Sequence, residues 1–531
     1  MAAPLPVPQI SCQNTVSQIK KILRSESERC NVFQGEIMSK RHRLQNYILH
    51  RFEIQFDDIC SRGWGRGSFY DETNHLIEVE ARGTIPGDVA VVEGRRIEDS
   101  RLQCALIELK SQKYARKPLD CPHAGVRTCK DNGCGGCTLR EFSYETQCQI
   151  KQGILERLLR KKGIKTPVSP ILPCLTQNYY RNKMELTFGP DGGNEPGLGL
   201  HPSGYKHEVI QMKWCDMISP LLPELAQKTT EWMKSFGIPY YVFRENSGFL
   251  RLLSLREGKR TGMNMLILTT AGCETVQTAN GSMPAREVID HYVSHVLKNL
   301  SCPIDTFYWT AVTAQKGHQT RLDDYLIFGP PVLKEKMLMP DEEHALHYEI
   351  LPRAFFQPNT IQAERLYQVV LNQAAPYMTP DTAMLDLYCG TGTIALSFAR
   401  HGHKAIAIDI EKQAIENARE NARNNGLENQ IEFYAGDTAE ILKSLLDANA
   451  NFSDWLLVVD PPRRGLLPTA YRQIMRIGLK TIIYVSCNPE SLAEDLLKFQ
   501  YDGYEIVSIQ PVDMLPQTAH LETVAALRRK D

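Results

Sequence analysis

Trp-Leu-Leu-Val-Val-Asp-Pro-Pro-Arg-Arg-Gly at Trp455–Gly465 and Ile-Ile-Tyr-Val-Ser-Cys-Asn-Pro-Glu at Ile482–Glu490 decide how the whole chain is read. Each opens as an apolar, β-branched run of strand length. Each ends on a chemically capable residue, Asp460 in the first and Cys487 in the second, with proline close behind. Proline has no N–H to give to a ladder, so the strands stop there. In an open parallel sheet, ligands lie in the crevice outside the carboxyl ends of the strands. Asp460 and Cys487 are therefore expected to face one crevice. For the cysteine alone the competing reading is core filler, since free cysteine is among the most buried residue types. The flanking sequence has to decide between them.

Strand–helix alternation runs through the whole region from Pro352 onward, the pattern of a doubly wound α/β domain. Ala383–Ser397, Ala-Met-Leu-Asp-Leu-Tyr-Cys-Gly-Thr-Gly-Thr-Ile-Ala-Leu-Ser, reads as strand, Gly-x-Gly turn and helix. Lys404–Ile410 is a second strand closing on Asp409, where a carboxylate meets the ribose hydroxyls of a nucleotide cofactor. Ile431–Asp437 places Asp437 at a third strand end, and a helix over Ala414–Asn424 stops before Gly426. The turn lacks the third glycine of the dinucleotide fingerprint in its usual place. That disfavours a nicotinamide cofactor and favours S-adenosylmethionine.

Upstream, Tyr47–Lys113 carries short alternating runs broken by glycine, the mark of a small all-β barrel. Its Gly-Trp-Gly-Arg-Gly-Ser turn and Ile-Pro-Gly-Asp stretch resemble the TRAM domain, an oligonucleotide-binding (OB) type barrel attached to RNA-modifying enzymes. Barrels of this kind bind nucleic acid on one face. Cys121–Cys137 then brings Cys121, Cys129, Cys134 and Cys137 close together, and Cys215 follows in Lys-Trp-Cys-Asp. Four thiolates suit either zinc or an iron–sulfur cluster, and spacing leaves both open. Lys151–Lys165 is amphipathic, with Ile154, Leu155, Leu158 and Leu159 on one face and Arg157, Arg160, Lys161 and Lys162 on the other. That basic face is either an RNA-phosphate contact or an ordinary solvated surface. Tyr180–Leu351 reads as a β-rich domain poor in long helices.

The bulk composition sets limits. The 531 residues are enough for about three domains. A formal net charge of −1 means that any nucleic-acid site is a local patch and not a global bias. There is no apolar run of membrane-spanning length and no charged segment leading an apolar core at the start. A cytoplasmic setting is expected, with an organellar address left open. Fifteen cysteines without a secretory signal point to a reducing compartment, where clustered thiols serve metals or catalysis.

With these pieces assembled, the chain from about Tyr47 onward resembles the RNA uracil-C5 methyltransferase family. The resemblance is carried by Ala-Phe-Phe-Gln-Pro-Asn (Ala354–Asn359), Asp-Leu-Tyr-Cys-Gly-Thr-Gly (Asp386–Gly392), Asp-Pro-Pro-Arg (Asp460–Arg463), Val-Ser-Cys-Asn-Pro (Val485–Pro489) and Pro-Gln-Thr-Ala-His-Leu-Glu (Pro516–Glu522). Barrel and cysteines together look most like the branch that methylates large-subunit ribosomal RNA and holds a 4Fe–4S cluster. The fold this implies is multidomain α/β. It has an N-terminal extension (1–45), a TRAM or OB-type barrel (46–113), a cysteine segment with a central β-rich RNA-binding domain (114–351), and a class I, Rossmann-like methyltransferase domain (352–531).

The resemblance also implies the working residues. Cys487 is the nucleophile that adds to carbon 6 of uracil, and Glu522 is the base that later removes the carbon 5 proton. Gln357, Tyr388, Thr393, Asp409, Asp437 and Asp460 contact S-adenosylmethionine, with Thr393 departing from the family's frequent asparagine. Cys121, Cys134, Cys137 and Cys215 hold the cluster, with Cys129 able to replace one of them. RNA is the partner, ribosomal RNA favoured over transfer RNA, and the protein is expected to act as a monomer without an obligate protein partner. Cysteine suits nucleophilic attack because a few per cent is thiolate near neutral pH even unperturbed. Cytosine-C5 and amino-group methylation fit less well: no cysteine follows Asp460-Pro-Pro, and Arg463 stands where amino-group enzymes carry an aromatic residue. A non-catalytic RNA-binding iron–sulfur protein is the reading from a different class.

Overall fold

The computed structural model of the chain describes residues 42–530 apart from 61, 126–132, 315–316, 340–344, 449 and 453–454. The short helix expected around Val16–Leu23, and Cys129, lie outside the described residues. The chain forms two compact units, the first essentially the barrel and the second everything beyond it.

In the first unit, β1 (Arg51–Ile59), β2 (Gly65–Tyr70), β3 (Leu76–Ala81), β4 (Val89–Glu98) and β5 (Arg101–Ser111) close in the order β1-β2-β3-β5-β4. Alternation dictates which residues enter. Ile54 and Phe56 point inward from β1 and meet Val79, Val92, Leu102 and Leu106, while Glu53 and Gln55 face out. Gly67 is required by contact: a Cβ there would lie 2.6 Å from the Gln55 carbonyl oxygen. This strand order fits an OB-type barrel.

The second unit opens with α1 (Tyr144–Lys161), capped by the Ser143 hydroxyl, which accepts from the Thr146 N–H. A central sheet follows, built from β6 (Lys183–Pro190), β7 (Pro196–Leu200), β8 (Ile210–Gln211), β9 (Leu250–Glu257), β10 (Asn264–Ala271), β13 (Thr306–Thr313) and β14 (Arg321–Phe328) in the order β14-β13-β10-β9-β6-β7-β8. Two hairpins, β11 (Thr275–Thr278) with β12 (Gly281–Pro284) and β15 (Leu333–Met337) with β16 (Leu346–Ile350), stand apart from it. Contrary to the expectation of few long helices, α2 (Leu221–Phe236) and α3 (Ala285–His295) cover this sheet. Leu222, Leu225, Trp232 and Met233 of α2, with Val288, Ile289 and Tyr292 of α3, pack on Leu253, Leu255, Leu266 and Leu268. Pro220 and Pro223 disguise α2 in the sequence. Proline is tolerated in a first helical turn, whose N–H groups have no intrahelical partner.

The C-terminal part is a seven-stranded sheet. Its strands are β17 (Ala383–Leu387), β18 (Ala405–Asp409), β19 (Ile431–Ala435), β20 (Trp455–Val459), β21 (Thr481–Ser486), β22 (Tyr504–Val512) and β23 (Glu522–Arg529), in the order β19-β18-β17-β20-β21-β23-β22. Helices α4 (Thr360–Ala374), α5 (Thr393–Arg400), α6 (Lys412–Asn424), α7 (Thr438–Asp447), α8 (Pro468–Ile477) and α9 (Pro489–Tyr501) alternate with the strands. The first five strands are parallel, and β23 slots in antiparallel to both β21 and β22. That insertion has a consequence for chemistry. Ser486 pairs with Thr523, so β23 starts beside the point where β21 ends. Cys487 and Glu522, 35 positions apart, become neighbours across one ladder.

Helix α1 and Ile164 just past it pack on the C-terminal part, Leu155, Leu159 and Ile164 clustering with Ile506 and Ile509 of β22 and Leu496 of α9. Past α1 the chain runs along the β22 edge, where Val168 bridges Ile509 and Leu172 bridges Val512, covering an otherwise open strand edge. Lys151, in the middle of α1, is fully buried and pairs with the fully buried Asp513 at 2.6 Å. Cutting a buried pair in half leaves a naked charge, at a cost of about 3–5 kcal/mol. Lys151→Met is expected to lower unfolding stability by about that amount in a denaturant titration. The double change Lys151→Met with Asp513→Leu is expected to recover most of it. Among the described residues, no helix is long and apolar enough to cross a membrane.

Candidate active site

The two decisive strand ends meet where the sequence placed them. A cavity of about 590 Å³ opens at the carboxyl ends of β17, β18, β20 and β21, lined by Gln357, Tyr388, Asp409, Asp460, Cys487 and Glu522. That volume lies within the range of small-molecule sites. Phe355, Glu411 and Arg463 share the wall. Each side chain is positioned by a local device. Asp460 follows the last pair of the β17–β20 ladder, its N–H donating to the Leu387 carbonyl at 3.2 Å. Cys487 sits between Ser486, the last residue of β21, and Asn488. The Asn488 side chain caps α9 by accepting from the Glu490 N–H and donates to the Arg463 carbonyl at 2.8 Å. Glu522 opens β23.

The glycine turn is shaped for close approach. Tyr388, Gly390 and Gly392 all have positive φ, 66°, 54° and 78°. Tyr388 pays about 1–2 kcal/mol for that left-handed conformation, whereas the glycines adopt it freely. Gly392 could not carry a Cβ comfortably, since Phe433 and Ala418 would lie 3.1 and 3.2 Å away. The Asp409 carboxylate accepts from the Gly390 N–H and the Glu411 N–H, both at 2.9 Å, tying the β18 end to the turn. The fully buried Asp386 accepts from the Ala395 N–H at 3.1 Å, and its Oδ1 has no hydrogen-bond partner.

Two residues expected at the cofactor do not line the cavity. The Thr393 hydroxyl is paired with the Tyr367 hydroxyl at 2.8 Å, at the start of α5. Asp437 caps α7, accepting from the Ala439 and Glu440 N–H groups. An acid at a strand end also serves as an N-cap for the next helix, and sequence alone does not separate the two uses. Arg463 and His520 show the converse. Arg463 joins the wall and its Nη2 lies 3.0 Å from the His520 Nδ1. A guanidinium has only donors, so that ring nitrogen is the acceptor. Burial and Arg463 hold the imidazole down to about 4. The Asp-Pro-Pro-Arg and His-Leu-Glu stretches were the available signals.

Burial holds Asp460 up to about 7. Burial and Asp460 push Glu522 up to about 8, and burial with Asp460 raises Asp386 to about 8. Burial, Glu522 and Asp460 push the Cys487 thiol up to about 12, with Arg463 pulling the other way. Cys487 thus stands as a thiol, with far less thiolate than an unperturbed cysteine has. The three carboxyls prefer their protonated forms. The stability they contribute is complete at acid pH, below the ordinary carboxylate range, and is lost as pH rises through about 7 to 8. Asp460→Asn is therefore expected to gain thermal stability over the parent protein above about pH 7. The two should converge at low pH, as thermal unfolding across a pH series would show.

A second cavity, about 340 Å³, is lined by Cys121, Cys134, Cys137 and Cys215. Burial and the neighbouring thiols push Cys137 up to about 12. Arg140 closes this cavity, donating twice to Asp216 at 2.7 Å and once to Asp120 at 2.5 Å. His123 Nε2 accepts from the Lys213 and Trp214 N–H groups. Among the described residues, no group of three or more His, Cys, Asp or Glu side chains is arranged to hold a single metal ion.

Comparison with known proteins adds to this geometry. Residues 324–530 match the family model described as tRNA (Uracil-5-)-methyltransferase. A protein from Protochlamydia amoebophila described as an uncharacterised RNA methyltransferase is 32% identical over 458 residues, covering 85% of this chain and 99% of that one. Another, from Caldanaerobacter subterraneus, is 32% identical over 486 residues, covering 90% and 98%. The crystal structure of Pyrococcus abyssi tRNA (uracil-54, C5)-methyltransferase with S-adenosyl-L-homocysteine superposes with a TM-score of 0.63 at 25% identity, over 90% of this chain and all of that one. With a strand-end cavity suited to S-adenosylmethionine and relatives matched over nearly their full length, this chain belongs to the S-adenosylmethionine-dependent RNA uracil-5 methyltransferase family.

Proposed function

We propose that the protein methylates carbon 5 of a uridine in RNA through a covalent Cys487–uracil adduct. The observation that carries this reading is that β23 inserts beside β21 and brings Cys487, Glu522 and Asp460 onto one cavity wall. Gln357, Tyr388, Asp409 and the glycine turn would hold S-adenosylmethionine, Asp409 through the ribose hydroxyls. When bound, that cofactor supplies an electrophilic methyl group and a positive charge, which favours ionised Asp460 and the Cys487 thiolate.

The protein's own groups do the rest. Cys487 Sγ, as thiolate after losing its proton to solvent, forms a bond to carbon 6 of the uracil, and the electron pair displaced from the 5,6 double bond makes carbon 5 nucleophilic. After methylation Glu522, as carboxylate, takes the carbon 5 proton, the double bond re-forms, and the carbon–sulfur bond breaks to return Cys487. Arg463, beside both residues, is placed to steady negative charge as it develops. The target base has to leave any helical stack to reach this wall. The rate of adduct breakdown is expected to rise with pH through about 8, as Glu522 ionises. Single-turnover kinetics across pH would measure it.

We favour ribosomal RNA as the substrate, on the barrel and the cysteine-lined cavity together. The full-length likeness to the Pyrococcus abyssi enzyme favours transfer RNA instead. Incubating the protein with radiolabelled S-adenosylmethionine and either transcript, followed by nucleoside analysis, decides both points. Labelled 5-methyluridine from the ribosomal transcript alone is the expected result. Label in the transfer RNA selects the second reading, and no labelled 5-methyluridine from either refutes the activity.

The second cavity we assign to a 4Fe–4S cluster held by Cys121, Cys134, Cys137 and Cys215, whose role would be to fix the local fold. The donor set fits: four thiols face one space, and the nearby Asp216 is already engaged by Arg140. A multi-iron centre spreads its ligands wider than a single tetrahedral ion, whose thiolates stand about 3.8 Å apart. Anaerobically purified protein should be brown and contain iron, and Cys137→Ser should lose both.

A further inference from the structure

The nine residues before Glu522, Asp513–Leu521, form the loop that delivers the candidate base to the cavity, and an unusual density of foreign hydrogen bonds holds them. Starting directly after Cys137, the segment Thr138–Lys151 supplies most of these. The Leu139 N–H donates to the Gln517 carbonyl at 2.9 Å, and the Ala519 N–H donates to the Thr138 hydroxyl at 3.2 Å. Gln147 and Gln517 exchange two bonds: Gln147 Nε2 donates to Gln517 Oε1 at 2.9 Å, and the Gln517 N–H donates to Gln147 Oε1 at 2.8 Å. Lys151 Nζ donates to both the Asp513 carboxylate and the Leu515 carbonyl, and the Tyr144 hydroxyl donates to the other Asp513 oxygen. From the central sheet side, the Tyr180 hydroxyl donates to the Pro516 carbonyl at 2.9 Å.

The loop needs such support. Gln517 is held at φ 68°, a left-handed conformation that a side-chain-bearing residue adopts only under constraint. Gln147, Lys151, Asp513 and Gln517 are all buried, so each unmade bond carries its full desolvation cost. Gln147 and Lys151 lie one helical turn apart on the same face of α1, and α1 is itself packed on the C-terminal sheet. A rigid helix thus presents two polar side chains to a strained loop that ends on Glu522.

We infer that Gln147, with Lys151 and Tyr180, is a positioning residue for Glu522: the segment Thr138–Lys151 is a mould that fixes the loop before β23 in the conformation needed to remove the carbon 5 proton. None of these residues lines the active cavity. They act through the loop. The inference rests on the proposed adduct chemistry, in which slowing the proton removal leaves the methylated base attached to Cys487.

The test compares Gln147→Leu and Tyr180→Phe with Glu522→Gln, using the full-length protein and its RNA. Gln147→Leu keeps bulk in the buried site and removes both halves of the exchange. Its kcat is expected to fall about tenfold or more, with the KM for RNA and the affinity for S-adenosylmethionine within about twofold of the parent. A methylated protein–RNA adduct should accumulate on denaturing gels, as in Glu522→Gln. Tyr180→Phe removes a single hydrogen bond and should move the same way by about fivefold. Should Gln147→Leu lose cooperative unfolding, Tyr180→Phe decides by the same criterion. Parent-like turnover, or slow turnover with no adduct while Glu522→Gln accumulates one, overturns the mould and leaves the adduct chemistry standing. No adduct in Glu522→Gln removes the base itself and the mould with it.

Discussion

Cys487→Ala is expected to lower methyl transfer to RNA by more than about a thousandfold and to abolish any covalent protein–RNA species. The size follows from the role: losing a nucleophile removes the step that makes carbon 5 reactive, and no neighbour can replace it. Of the carboxyls beside it, burial raises Asp460 to about 7, and burial with Asp460 raises Glu522 to about 8; neither is a soft nucleophile like the thiolate. The variant should keep its fold, because Cys487 lies outside the hydrophobic clusters that Tyr484 and Val485 join. Cofactor affinity is the appropriate control, since Gln357, Tyr388 and Asp409 are untouched. Serine in place of alanine should be nearly as inactive, since its hydroxyl is harder to ionise and a poorer leaving group than the thiol. Methylation at parental rate by Cys487→Ala, measured with labelled cofactor, would end the mechanism.

Glu522→Gln should separate the two halves of the reaction. The amide keeps the size and hydrogen-bonding reach of the carboxyl and cannot accept the carbon 5 proton. Thiol addition and methylation then proceed once, and the enzyme stalls as an adduct. Turnover is expected to fall by about a hundred- to ten-thousandfold, the usual contribution of a positioned general base. A normal turnover rate would show that Glu522 is not the base.

Much of this site was legible in the sequence because its residues occupy the ends of strands with unmistakable composition. Asp460 and Cys487 close mainly apolar runs, and Gln357, Tyr388, Asp409 and Glu522 sit in short motifs that survive without knowledge of packing. Thr393 and Asp437 were placed at the cofactor for equally good local reasons; the fold gives Thr393 a hydrogen bond to Tyr367 and Asp437 a helix cap, neither of which the local sequence announces. The upward push on the Cys487 thiol leaves no mark in the sequence, because it comes from burial beside Glu522 and Asp460, which the inserted β23 brings about. Long-range pairings leave no local pattern at all. Lys151 reads as one more cation on an amphipathic helix, yet its partner Asp513 is 362 positions away. The cysteine segment is likewise far from Cys487 and Glu522 in sequence, and the fold runs it straight from Cys137 into the Thr138 and Leu139 contacts with the loop before Glu522.

The most direct test of the central claim is mass spectrometry of Glu522→Gln after reaction with RNA and S-adenosylmethionine, followed by nuclease and protease digestion. The expected product is one modified peptide, containing Cys487 and carrying a nucleotide with an added methyl group. Attachment at any other residue, or no attached nucleotide while the parent enzyme forms 5-methyluridine in the same RNA, would contradict the account.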